Sequence, residues 1–230
     1  MFLDPIYLLI MGVGFVLSLG AQFWVKNRVN KWLKVPTSRG MTGRDVAQEI
    51  LRVKGITDVT VEQTPGFLSD HYDPSSRTLR LSPDIYNGRS VTAAGIAAHE
   101  VGHAIQHKEG YWPMTIRQKM VPVANIGTNL GVWIMIAGLF IGITGLAKVG
   151  VLLFAGFVGF TVVTLPVEFD ASARAKRAVA DYNIVGPREL GGVSQVLTAA
   201  AATYVAAAVS AILQLLYWLY RLGLLGGRRD

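Results

Sequence analysis

The chain has 230 residues, 51% of them hydrophobic and 16% charged, and a formal charge of +7. Apolar content at that level, gathered into long uncharged runs, excludes a purely soluble domain. Cysteine is absent, which excludes thiolate metal ligation, and the positive charge carries no Gly-rich phosphate loop or basic-aromatic motif that would point to nucleic acid.

Residues 6–25 contain no charge and are long enough to cross a bilayer. A cleaved signal peptide fits poorly, because Asp4 precedes the run while Lys26, Arg28, Lys31, Lys34, Arg39 and Arg44 follow it. Basic residues in that position contact anionic lipid head groups. Thr42 then opens an amphipathic helical pattern carried by Val46, Ile50, Leu51 and Val53. Residues 59–62 alternate like a short strand and residues 77–82 do so more clearly, with Asp73-Pro74-Ser75-Ser76 reading as a turn before the second. Ser90 is an N-cap for a helix running through Ala93-Ala94-Gly95-Ile96-Ala97-Ala98.

That helix carries His99-Glu100-Val101-Gly102-His103, the HExxH pattern of zinc hydrolases. Four-residue spacing puts both imidazoles on one helix face, where they can share one Zn²⁺, and Glu100 is placed to act as general base. All four histidines (His71, His99, His103, His107) fall in this region. His107 lies two turns from His99, too far for all three to converge on one ion from a straight helix. The position six residues past His103 is Glu109, so a metzincin arrangement fails. A carboxylate from a later helix is the remaining third ligand. Glu168 is the best candidate, since a carboxylate beside a long apolar run is costly unless paired or bound to metal. A helix is expected to start at or near Pro166. Asp170 is the runner-up, or else an acceptor that orients a ligating histidine. Strands preceding a zinc helix often lie at a sheet edge, and here such an edge either pairs with extended substrate or is an ordinary sheet margin.

Residues 121–147 and 149–167 form two further uncharged runs, separated by little more than Lys148, which implies a tight helical hairpin. Residues 193–220 make a fourth, alanine-rich and weaker, ending in an aromatic Leu-Tyr-Trp-Leu-Tyr stretch. The fold class expected is a mainly α integral membrane protein, with about four transmembrane helices and a small α+β zincin-like cytosolic domain. Its segments are residues 1–33 (first span and basic flank), 34–120 (metallopeptidase domain), 121–167 (hairpin), 168–192 (helix with the third ligand) and 193–230 (last span). The basic cluster after the first span puts the N-terminus outside and residues 34–120 in the cytoplasm. The hairpin tip at Lys148 is then outside, and Arg174, Lys176, Arg177 and Arg188 are inside. Arg221, Arg228 and Arg229 fall on the outer side, against the rule.

Three stretches together resemble the YugP-type family of bacterial membrane zinc metallopeptidases. They are Ala97-Ala98-His99-Glu100-Val101-Gly102-His103-Ala104-Ile105-Gln106, Leu68-Ser69-Asp70-His71-Tyr72-Asp73 and Leu165-Pro166-Val167-Glu168-Phe169-Asp170-Ala171-Ser172. The layout is more distantly similar to integral-membrane gluzincins of the CAAX-protease and heat-shock-protease type. The resemblance implies zinc on His99, His103 and Glu168, with Ser172 standing where those proteins carry an aspartate behind a histidine ligand. It implies a peptidase of the bacterial plasma membrane acting on proteins or peptides, alone, as a homo-oligomer or in a membrane-protein complex. His71 and Arg174 are candidates for steadying the oxyanion. The competing readings are a catalytically silent zinc scaffold, which has no use for Glu100, and a transporter, which the scarcity of polar residues in the spans disfavours.

Overall fold

The computed structural model describes residues 4–225. Arg228 and Arg229, invoked above, lie outside that range. In chain order the elements are α1 (Pro5–Leu33), α2 (Gly43–Val53), β1 (Thr60–Gln63), β2 (His71–Asp73), β3 (Thr78–Leu81), α3 (Pro83–Tyr86), α4 (Val91–Lys108), α5 (Trp112–Ile126), α6 (Val132–Phe140), α7 (Thr144–Asp181) and α8 (Pro187–Arg221). A π-helical turn, Gly127–Gly131, joins α5 to α6. Among the described residues, four helical stretches are long and apolar enough to cross a membrane: Pro5–Leu33, Trp112–Phe140, Thr144–Asp181 and Pro187–Arg221. The chain divides into two compact units, and α1, α5, α7 and α8 each contribute residues to both.

The first unit holds residues up to Ala21, Thr115–Leu165 and residues from Thr203. Its surface is apolar, with Leu9, Phe15, Trp133, Phe140 and Leu152 all strongly exposed, as side chains facing lipid would be. Lipid tails are as apolar as these side chains, so the helices must associate by close packing. Gly127 and Gly131, four residues apart, supply it. A Cβ at Gly127 would stand 2.5 Å from the Leu153 carbonyl oxygen, and one at Gly131 would meet the Leu153 side chain at 3.0 Å. One expectation changes here. The hairpin turns at residues 141–143, with Gly142 at φ +76°, and Lys148 lies inside α7. A glycine can take that positive φ without the clash a side chain would bring, whereas Lys148 marks only a charge. The ends of the unit also meet: Asp4 accepts from Tyr217 Oη at 3.2 Å and lies 3.5 Å from Arg221 Nη1. The Arg221 charge, which broke the positive-inside pattern, is thus matched by a carboxylate.

The second unit holds Gln22–Met114 and Pro166–Ala202. Its core is built around α4, whose Val91, Ala94, Ala97, Ala98 and Val101 are buried. Small side chains on this face let α2, β3 and α7 approach it. Thr42 caps α2 in a reciprocal box with Asp45, and Ser90 caps α4 by accepting from the Ala93 amide at 3.1 Å. Each such cap is worth about 1 kcal/mol. Val46, Ile50 and Leu51 of α2 pack inward as the amphipathic pattern requires, while Val53 faces out.

The sheet has order β1-β3-β2, with β3 parallel to β1 and antiparallel to β2. The strand before the zinc helix is therefore central, which overturns both edge readings given above. The β2–β3 turn is the expected one: Asp73 Oδ1 accepts from the Ser75 amide at 2.9 Å, and its Oδ2 accepts from Ser76 Oγ at 2.7 Å. Leu79 and Leu81 of β3 are completely buried, and burying each contributes about 1.5–3 kcal/mol. Pro166 does not start a helix either, since α7 runs unbroken through it from Thr144 to Asp181. Proline is tolerated inside long apolar helices because neighbouring groups re-satisfy the carbonyl it frees. The segment boundary at residue 168 accordingly falls within a continuous helix.

Candidate metal centre

Helix α4 carries His99 and His103 one turn apart, with ring centroids 4.8 Å apart and planes at 82°. Helix α7 brings Glu168 to them. Its Oε2 lies 3.2 Å from His99 Nε2 and 3.6 Å from His103 Nε2, and the three ligand atoms lie within 4.8 Å of one another. Ligand atoms at 2.0–2.2 Å from a tetrahedral zinc ion are separated by about 3.4 Å, so this spacing suits the ion. Two imidazoles, one carboxylate and no thiolate form the donor set of a catalytic zinc with an open position. Glu168 is only 2% exposed, and a carboxylate taken that far from water needs coordination or strong pairing.

The approach of α7 to α4 depends on Gly102, inside the motif. A Cβ there would sit 2.6 Å from the Ala171 carbonyl oxygen, so the two backbones touch only because residue 102 has no side chain. Ala171 is itself completely buried at that contact. Ser172, the next residue, places its Oγ 3.2 Å from His99 Nδ1. The hydroxyl thus stands behind the His99 ring, a place for which Asp170 was the candidate. Asp170 meets no histidine directly. It accepts from Gln106 Nε2 at 2.8 Å, and Gln106 Oε1 lies 3.0 Å from His103 Nδ1. Gln106 was not singled out from the sequence, although its position three residues past His103, on the same helix face, was an available signal.

Glu100 is buried beside the ligands. Burial alone would lower the His103 pKa, but hydrogen bonding to Glu168 and the charges of Glu168 and Glu100 outweigh it and push the value up. In the metal-free protein this imidazole holds its proton more tightly, and an entering metal must displace it. Asp70 carries a carboxyl pushed up by burial and then by the Glu100 charge, against the opposing hydrogen bonds of Ser82. It accepts from the Ser82 amide at 2.7 Å, which ties the start of β2 to the end of β3.

The remaining candidates stand apart from the three ligands. His71 is exposed at the start of β2, with Nδ1 2.8 Å from the Ser69 carbonyl oxygen. His107 Nδ1 is 2.8 Å from Tyr72 Oη and does not join the cluster, as the helix geometry required. Arg174 is held by Asp170 through Nε and by Glu109 through Nη1, and lies over the Tyr111 ring.

A membrane-helical chain with a largely buried His–His–Glu cluster and an adjacent carboxylate has the layout of an integral-membrane metallopeptidase. The family described as "Putative neutral zinc metallopeptidase" matches residues 7–223, and the chain belongs to it. It is 44% identical over 211 residues to a protein of Bacillus subtilis (strain 168) named "Putative membrane protease YugP", covering 92% of this chain and 93% of that one. No solved structure matches.

Proposed function

We propose that the protein is a zinc-dependent endopeptidase that hydrolyses peptide bonds of protein substrates at the cytoplasmic face of the membrane. The observation that carries this reading is the buried Glu100 beside a three-ligand cluster of zinc-like spacing. His99, His103 and Glu168 would hold the zinc, which would supply a Lewis acid for the scissile carbonyl and for the attacking water. Glu100 accepts the proton of the attacking water and delivers it to the leaving amine as the C–N bond breaks. Ser172 and Gln106 hold the two ligand imidazoles from behind. Of the two candidates for steadying the oxyanion we retain His71, which is exposed at the start of β2 with Nδ1 against the Ser69 carbonyl oxygen. Arg174 we assign to positioning, because its Nε and Nη1 are committed to Asp170 and Glu109. A silent zinc scaffold would leave Glu100 without a use.

Full-length protein in detergent, stripped of metal with a chelator, is expected to lose cleavage of an unfolded protein substrate and regain it with added zinc. Cleavage that survives complete metal removal would overturn the proposal.

The cytoplasmic orientation rests on Lys26, Arg28, Lys31 and Lys34 following the first span. The chain has no cysteine of its own, so single cysteines report cleanly on sidedness. Placed at the exposed positions Ser38, Lys54 and Asp181, they should react with an impermeant thiol reagent only after permeabilisation. One at Ile143, in the hairpin turn, should react in intact spheroplasts. Labelling of Lys54→Cys from outside, with Ile143→Cys protected, would reverse the orientation.

A further inference from the structure

Gln106 is completely buried, and its three neighbours decide more than they first suggest. Its Nε2 lies 2.8 Å from the Val167 carbonyl oxygen and 2.8 Å from Asp170 Oδ2, and its Oε1 lies 3.0 Å from His103 Nδ1. Heavy atoms alone leave a glutamine amide free to be reversed and a histidine tautomer open. Here chemistry settles both. A backbone carbonyl and an ionised carboxylate can only accept, so the end of the amide facing them is the NH₂ group, and both its hydrogens are used. The other end is a carbonyl oxygen, which also only accepts. His103 Nδ1 must then be the donor. In the neutral form that binds a metal, the imidazole carries one N–H, so its lone pair is left on Nε2, the atom 3.6 Å from Glu168 Oε2.

We propose that Gln106 is a positioning residue that locks His103 in the Nδ1–H tautomer, with Nε2 aimed at the metal, and passes the influence of Asp170 to that ligand. This role rests on the zinc reading given above. The arrangement closes on itself: Asp170 is held by Arg174, and Arg174 reaches Glu109 at the C-terminal end of α4, the helix that carries His103. Burial makes the lock strong, because an amide in this place has no water with which to exchange partners. His99 is held differently. Ser172 Oγ can donate or accept, so it supports that ring without dictating its tautomer. Of the two histidine ligands, His103 is the fixed one.

The test uses full-length protein with ¹⁵N-labelled histidine, of which there are four to assign. In zinc-loaded wild type, His103 should show a protonated Nδ1 and a metal-bound Nε2. Gln106→Met keeps the length of the side chain and removes all three hydrogen bonds. It should weaken zinc binding about ten- to a hundredfold, the scale for losing a partner behind a ligand, and move the Nδ1 signal of zinc-loaded His103 away from its wild-type position. Ile105→Val, a neighbouring buried change outside the relay, should alter neither readout. The role is overturned if Gln106→Met binds zinc like wild type, or if Ile105→Val weakens binding equally. Should the Met variant fail to fold, the wild-type spectrum still decides, since a protonated Nε2 on zinc-loaded His103 contradicts the lock. A wild type that binds no zinc would instead remove the metal reading, and this role with it.

Discussion

Replacing Glu100 by Gln is expected to leave zinc bound and α4 intact while lowering peptidase turnover by about 10²- to 10⁴-fold, the usual scale for losing a general base. The two side chains have nearly the same shape, so the packing around this buried position changes little. What changes is the ability to take a proton from the attacking water and return it to the leaving amine. Metal content by elemental analysis, thermal stability and turnover, measured on one preparation, separate these effects. Full turnover with zinc bound would remove Glu100 from the mechanism. Comparing membrane proteomes of cells that carry wild type or Glu100→Gln would then identify proteins that accumulate uncleaved.

Glu168→Ala is expected to abolish stoichiometric zinc binding, whereas Asp170→Ala should weaken it only about ten- to a hundredfold. Glu168 Oε2 lies within 3.6 Å of both histidine Nε2 atoms, so its loss leaves two ligands on one helix and nothing opposite them. Asp170 acts at two removes, through Gln106 and then His103. Its variant should also release Arg174 from one of its two carboxylates. Zinc titration in detergent decides the matter. Metal lost from the Asp170 variant and kept by the Glu168 variant would reverse the assignment.

The parts of the site that could be read from the sequence are those governed by spacing on one helix or by the cost of isolated charge. His99, Glu100 and His103 follow from the four-residue period, and Glu168 from a carboxylate at the end of an apolar run. Gln106 was hidden because its role depends on Val167 and Asp170, which lie 61 and 64 residues away. Nothing local distinguishes it from an ordinary helical glutamine. The fold divides in the same way. Caps at Thr42 and Ser90 are local, and both are present. The central place of β3 is set by a parallel pairing with β1, which no pattern within β3 encodes. β2 has three residues, too few for alternation to register. At Pro166 and Lys148 a local rule was read too strongly: proline as a helix start, and charge as a turn.

The contact between Gly102 and Ala171 has a consequence for biogenesis. One half of the centre is made early, on α4, while the other arrives with α7 only after the chain has laid down the whole Trp112–Phe140 stretch and its turn. Ribosomes emit that intervening sequence before Glu168 exists. Under the proposed function, a nascent chain therefore carries the histidines and the base without the third ligand, and it is expected to be inert. The proposed activity would then wait for the backbones at Gly102 and Ala171 to dock, which would couple its birth to the arrival of α7 in its final place.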